Sequence, residues 1–177
     1  AEWARLAPGA FDVVLLDAPC SGEGMFRKSD EARRAWSDAT VAHCAVRQHE
    51  LLDAAARLLA PGGRLAYATC TFAPEENEAV VAGLLDRRSD LRPGRVRLPG
   101  TEPGRPDAAG AAGLTAEAVA RIWPHHARGD GHVVAVLERD ANADPEEPVP
   151  LRADAAEGRG PSGRRAGARA RGRAGRL

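Results

Sequence analysis

No apolar run in the 177 residues approaches the ~20 needed to cross a bilayer. No charged segment followed by an apolar stretch opens the chain, so neither a membrane span nor a secretion signal is expected, and a cytoplasmic location is the default. Aromatics make up only 4% of the residues, so the 44% that are hydrophobic leave a core of alanine, leucine and valine. The three cysteines are an odd number without the spacing of a secreted framework, which points to reduced thiols. A metal centre is not expected either: His43 and Cys44 point apart on a helix, and His49 is not a turn away from Cys44.

Net charge is zero only in sum. Residues 158–177 carry seven arginines and no acid, which leaves 18 basic against 25 acidic residues in 1–157. Beyond residue 140 the composition shifts to Pro, Glu, Gly, Ala and Arg with almost no large apolar side chain. Residues 1–140 are therefore expected to form the folded unit, and 141–177 a basic, low-complexity tail that cannot bury enough surface to order itself. Its arginines suit phosphate contacts whose affinity falls as salt rises.

Residues 11–28, FDVVLLDAPCSGEGMFRK, organise the rest. Val13, Val14, Leu15 and Leu16 fit a strand buried on both faces of a parallel sheet. Turn-forming and reactive residues follow at once: Asp17, Pro19, Cys20, Ser21 and Gly22. The event repeats at 64–68, RLAYA, where Thr69, Cys70 and Thr71 stand at the strand end. Between the two, Val41, Ala45, Gln48, Leu52, Ala55 and Leu59 recur at helical spacing, with Ser37 or Thr40 as N-cap and Pro61-Gly62-Gly63 as the stop. Strand, helix, strand makes parallel neighbours, and in open α/β sheets ligands bind beyond the carboxyl ends of strands. Both thiols are thus expected to flank one pocket, with Asp17 close to the first.

The flanking segments read less sharply. Residues 2–6 fit the end of a helix, and 27–34 a solvated polar helix face. Residues 71–76 look like a helix start, with Glu75 and Glu76 suiting the dipole and Val80, Val81, Leu84 and Leu85 forming the apolar face. Residues 92–113 read as a long loop. Residues 119–123 and 133–137 read as an antiparallel pair closing the sheet edge, with His125 and His126 in the loop between them. Met25-Phe26-Arg27-Lys28 either clamps a flipped nucleotide or packs Phe26 beneath the loop.

A thiolate, not a thiol, is the nucleophile. Helix amides favour ionisation of Cys70 while Glu75 and Glu76 oppose it; Arg27 and Lys28 favour ionisation of Cys20. These considerations leave either cysteine open as the reactive one.

The segments DAPCSGEGMFRK, RQHELLDAAARLLAPGG, YATCTFAPEENE and RIWPHHARGDGHVVAVLER occur in that order over residues 11–139. They resemble the successive motifs of the RNA cytosine-C5 methyltransferases, the bacterial 16S ribosomal RNA branch in particular. The resemblance implies an α/β fold of the Rossmann-like methyltransferase class, here partial: a mostly parallel sheet with an antiparallel edge pair. It implies S-adenosylmethionine as cofactor and RNA, ribosomal rather than transfer, as partner. By the same resemblance Cys70 is the nucleophile toward cytosine C6, Cys20 the second thiol that helps release the product, and Asp17 a neighbour of both cofactor and base. DNA cytosine-C5 methyltransferases attack with the cysteine of a Pro-Cys turn, but Ser-Gly after that turn and a separate Thr-Cys-Thr match the RNA family. The family's glycine-rich cofactor loop and ribose-holding acid have no match in this chain. It is therefore expected to be the carboxyl-terminal half of a catalytic domain, inactive alone; the alternative is a degenerate fragment that binds RNA through its basic tail.

Overall fold

The computed structural model describes residues 2–148 apart from 112 and 128. The arginine-rich stretch expected to be a tail lies outside the described residues. A short helix, α1 (Glu2–Leu6), precedes the first strand, β1 (Phe11–Asp17). A 3-10 turn at Glu23–Met25 leads to α2 (Asp30–Ala35), which buries none of its side chains and is the solvated polar segment expected there.

The crossover helix is α3 (Asp38–Leu58). Ser37 caps it, its Oγ accepting the Thr40 N–H at 3.1 Å. The buried face is Val41, Gln48, Leu52, Ala55 and Ala56, the three-and-four spacing of an amphipathic helix. β2 (Leu59–Thr69) starts on the next residue, so Pro61-Gly62-Gly63 is not the helix stop expected of it. It lies inside the strand as an irregularity: Phe11 pairs with Leu59, and Val13 already pairs with Arg64. Gly62 has φ 79°, a left-handed conformation that an L side chain resists. Past this bulge β1 and β2 run parallel in register to Asp17 opposite Ala68, which brings the two strand ends level.

The chain then forms α4 (Glu78–Arg87), β3 (Leu91–Pro93), β4 (Glu102–Pro103), β5 (Val119–Ile122) and β6 (His132–Arg139). The sheet order is β1-β2-β6-β5-β4, with β3 also pairing β6. β5 and β6 form the expected antiparallel pair. They do not close the edge, because β6 inserts beside β2 and β4 lies outermost. The segment 92–113 is likewise not all loop: it carries the end of β3, β4 and a 3-10 turn at Pro106–Ala109.

Helices α3 and α4 cover one face of this sheet. Leu65, Tyr67, Val133, Ala135 and Leu137 are buried there with Leu52, Val80, Val81 and Leu84, and residues between them on the strands are only half-buried. β1 departs furthest from expectation. It is an edge strand rather than one buried on both faces: Val14 and Leu16 pack against the core, while Phe11, Val13 and Leu15, alternating with them, are 47%, 70% and 71% exposed. Residues 141–148 stay against the body, where Glu146 meets Arg57 at 3.2 Å and Arg88 at 2.7 Å. Among the described residues no helix is long and apolar enough to cross a membrane.

Candidate active site

Each cysteine sits just past the end of a strand, and the parallel register brings the two together. Cys20 Sγ and Cys70 Sγ are 3.3 Å apart, both half-buried. Their loops are laced to each other by the backbone as well: the Ala18 N–H donates to the Ala68 carbonyl at 2.9 Å, and the Gly24 N–H to the Cys70 carbonyl at 2.8 Å. Ser21 Oγ and Thr71 Oγ1 share a hydrogen bond of 2.9 Å. Asp17 is exposed at the end of β1, near enough to Cys70 for its charge to oppose the thiolate.

The two thiols divide the proton unequally. Cys70 is lowered to about 7, first by a hydrogen bond from Cys20 and then by its own backbone amide; burial and the carboxylates of Asp17 and Glu76 work against this. Cys20 is driven far up by the same hydrogen bond, by burial and by the neighbouring charge. Of the two, Cys70 is therefore the one that ionises first, with the Cys20 thiol donating to it. Neither expected cation contributes: Lys28 is paired with Asp130 at 2.5 Å, and Arg27 is exposed. Nor does a helix N-terminus aid Cys70, since Pro74–Glu76 is a 3-10 turn and α4 begins only at Glu78.

Glu76, read from the sequence as a first-turn acid that suits the dipole, is fully buried and joins three elements. Its carboxylate accepts the Ser21 N–H at 3.0 Å and Gln48 Nε2–H at 2.8 Å, and its carbonyl accepts the Tyr67 hydroxyl at 2.7 Å. Gln48 Nε2 also donates to the Pro19 carbonyl at 2.8 Å. Asn77 does the same on the other loop, donating to the carbonyls of Thr71 and Ala73 and accepting from Thr69 Oγ1. Glu23 reaches across from the first loop and accepts the Phe72 N–H at 2.8 Å. Deeper still, Arg121 and Glu78 form a bidentate pair at 2.9 and 2.6 Å, both fully buried, and Arg121 Nη1 donates to the Phe72 carbonyl at 2.9 Å. The sequence reading named Gln48 and Glu76 but gave none of these groups a supporting role in the site. The one legible signal was Gln48, a polar residue on an otherwise apolar helix face.

Other candidates fall apart or change meaning. Cys44 lies on α3 with its thiol raised, chiefly by burial. The histidines after Trp123 do gather: Glu102, His125 and His126 have donor atoms within 4.8 Å of one another. The Glu102 carboxylate is already shared between Trp123 Nε1–H at 2.9 Å and His126 at 3.4 Å. Phe26 meets Trp36 edge-on at 6.4 Å, the packing role weighed for it.

A parallel strand pair continued by antiparallel strands, with a cysteine just past each parallel end, fits part of a Rossmann-like methyltransferase sheet. The solved methyltransferase homologue protein from Pyrococcus horikoshii superposes on this chain with a TM-score of 0.56 at 30% identity, over 73% of this chain and 39% of that one. The family model of the 16S rRNA methyltransferase RsmB/F matches residues 2–138, and the chain belongs to that family. Ribosomal RNA small subunit methyltransferase F of Erwinia tasmaniensis is 39% identical over 141 residues, covering 78% of this chain and 28% of the relative. The crystal structure of PH0851 superposes with a TM-score of 0.66 at 35% identity, over 75% of this chain and 27% of that one. NSun6 from Pyrococcus horikoshii, with SFG, gives 0.55 at 27% identity, over 73% and 30%. The chain thus spans 28% of the length of that curated relative.

Proposed function

We propose that the chain is the target-base side of an enzyme that methylates C5 of a cytosine in ribosomal RNA through a covalent adduct between Cys70 and C6. The observation that carries this reading is the 3.3 Å approach of two cysteine sulfurs at two adjacent strand ends. Cytosine C5 is a poor nucleophile. When Cys70 Sγ bonds to C6, the C5=C6 π pair becomes C4=C5, the C4=N3 pair moves onto N3, and C5 becomes the nucleophilic carbon of an enamine. S-adenosylmethionine, when bound, supplies a methyl group on a positively charged sulfur. Asp17 suits that charge, being an exposed carboxylate at the open edge beside the thiols; it would also accept from the cytosine amino group.

After methylation C5 still carries its hydrogen. A base removes that proton, the C–H electrons re-form C5=C6, and the C6–S bond breaks to return the Cys70 thiolate. Cys20 is suited to be the base because its own proton is held chiefly by Cys70. Once Cys70 Sγ is bonded to carbon it is no longer an anionic acceptor. The main cause of the raised Cys20 value then disappears; Cys20 gives its own proton to solvent water and, as a thiolate beside the adduct, takes the one from C5.

In the full-length protein, RNA containing 5-azacytosine at the target should be trapped covalently. Cys70→Ala should abolish the trapped species, whereas Cys20→Ala should let ordinary RNA accumulate as an adduct on a denaturing gel. The reverse pattern would exchange the two roles. The 177-residue chain alone should bind S-adenosylmethionine too weakly to register by calorimetry, and stoichiometric binding would contradict the reading of it as one side of a site.

A further inference from the structure

Beside the thiols lies a second cavity that the chemistry above leaves unused. It is an open cleft of about 500 Å³, lined among others by Trp36, Phe72, Trp123, Arg105, Asp38 and Glu75. That size lies within the ~300–1,000 Å³ of small-ligand sites. Phe72 follows Cys70 by two residues, a reach of at most about 7 Å, so the cleft opens within one or two nucleotides of the reacting carbon.

Its walls have the chemistry of a base platform. Phe72 and Trp123 stack with centroids 4.4 Å apart and planes at 26°. The Arg105 guanidinium lies over Trp123 at 5.2 Å, without a carboxylate partner among the described residues. Trp36 is 36% exposed on the same cleft. The platform is held in place: Glu23 fixes the Phe72 N–H, Arg121 fixes its carbonyl, and Gly131 presses its bare backbone against the ring. Asp38 and Glu75 are exposed, and neither has a partner among the described residues. Two free carboxylates repel phosphate and accept hydrogen bonds from donors such as N–H groups.

We propose that this cleft binds a guanine of single-stranded RNA within two nucleotides of the target cytosine. Aromatic faces stack any base. Among the four, guanine alone offers adjacent ring N–H and exocyclic amino donors, which match one carboxylate in a two-point hydrogen bond. Arg105 meets the phosphate flanking that base. The proposal deepens the methyltransferase reading and rests on it for the placement of the RNA.

The test uses the full-length protein and short single-stranded RNAs that carry the target cytosine with guanine, or with uracil, at the flanking positions, and binding is read by competition. Glu75→Gln should weaken the guanine-bearing RNA by about tenfold and leave the uracil-bearing RNA unchanged, whereas Trp36→Ala, which removes a stacking face, should weaken both. Equal weakening of both RNAs by Glu75→Gln, or of neither, overturns the cleft assignment. Covalent trapping by the unaltered protein is a separate arm. If it fails while the guanine-dependent loss persists, the adduct chemistry is wrong and the cleft stands.

Discussion

At the scale of single residues, the asymmetry of the thiol pair is the property to measure. Because Cys70 is lowered to about 7, about half of it is thiolate at that pH and it becomes fully protonated below it. Alkylation by iodoacetamide should therefore modify Cys70 first, with a rate whose midpoint lies near pH 7, whereas an unperturbed thiol has its midpoint near about 8.5. Cys20→Ala removes the leading cause of the lowered value, so the midpoint for Cys70 should move to higher pH. A midpoint that stays in place would mean that the hydrogen bond does not set the thiolate. Sequence patterns alone showed both cysteines at strand ends but not which would ionise. The deciding partner lies fifty residues away in the chain, and the nearby cations that suggested an answer turn outward or pair elsewhere.

At the scale of elements, the helices and the parallel pair were legible because periodicity and capping are local. Ser37, the α3 face and the strand ends all stand where the pattern puts them. The polar interior was not legible, since a glutamate at a helix start reads the same whether it faces water or a buried amide. Glu76 and Glu78 became structural only when β2, α3 and β5 closed around them. The Arg121–Glu78 pair ties β5 to α4 and, through the Phe72 carbonyl, to the Cys70 loop. Arg121→Ala strands a buried carboxylate and should cost about 3–5 kcal/mol in urea unfolding. Arg121→Met with Glu78→Leu should recover much of that loss, because a buried ion pair is often replaceable by apolar side chains of similar volume. Failure of the double variant to recover would show that the bond to the Phe72 carbonyl matters more than the pair.

At the scale of the whole molecule, the open edge dominates. Among the described residues β1 has a partner strand on one side only; its Phe11, Val13 and Leu15 face outward, and Trp3 and Leu6 of the preceding helix are 73% and 45% exposed. Exposed apolar strand edges invite pairing with another chain. The isolated chain should therefore self-associate in sedimentation experiments at micromolar concentration. Val13→Lys with Leu15→Lys should shift it toward monomer, and a chain that is monomeric without those changes would count against an adhesive edge. The run of four apolar residues was read as doubly buried because composition reports what a strand prefers, not what lies next to it.

Gly131 bears on how natural variants of this protein are judged. By any similarity table, glycine to alanine is among the mildest exchanges, and position 131 is sixty-one residues downstream of the nucleophilic sulfur proposed here. Yet the added methyl would overlap Phe72 Cζ, at the outer edge of the ring, so that the side chain two residues beyond the sulfur would have to move. A variant scored as benign on chemical likeness would then disturb this loop for reasons of space alone.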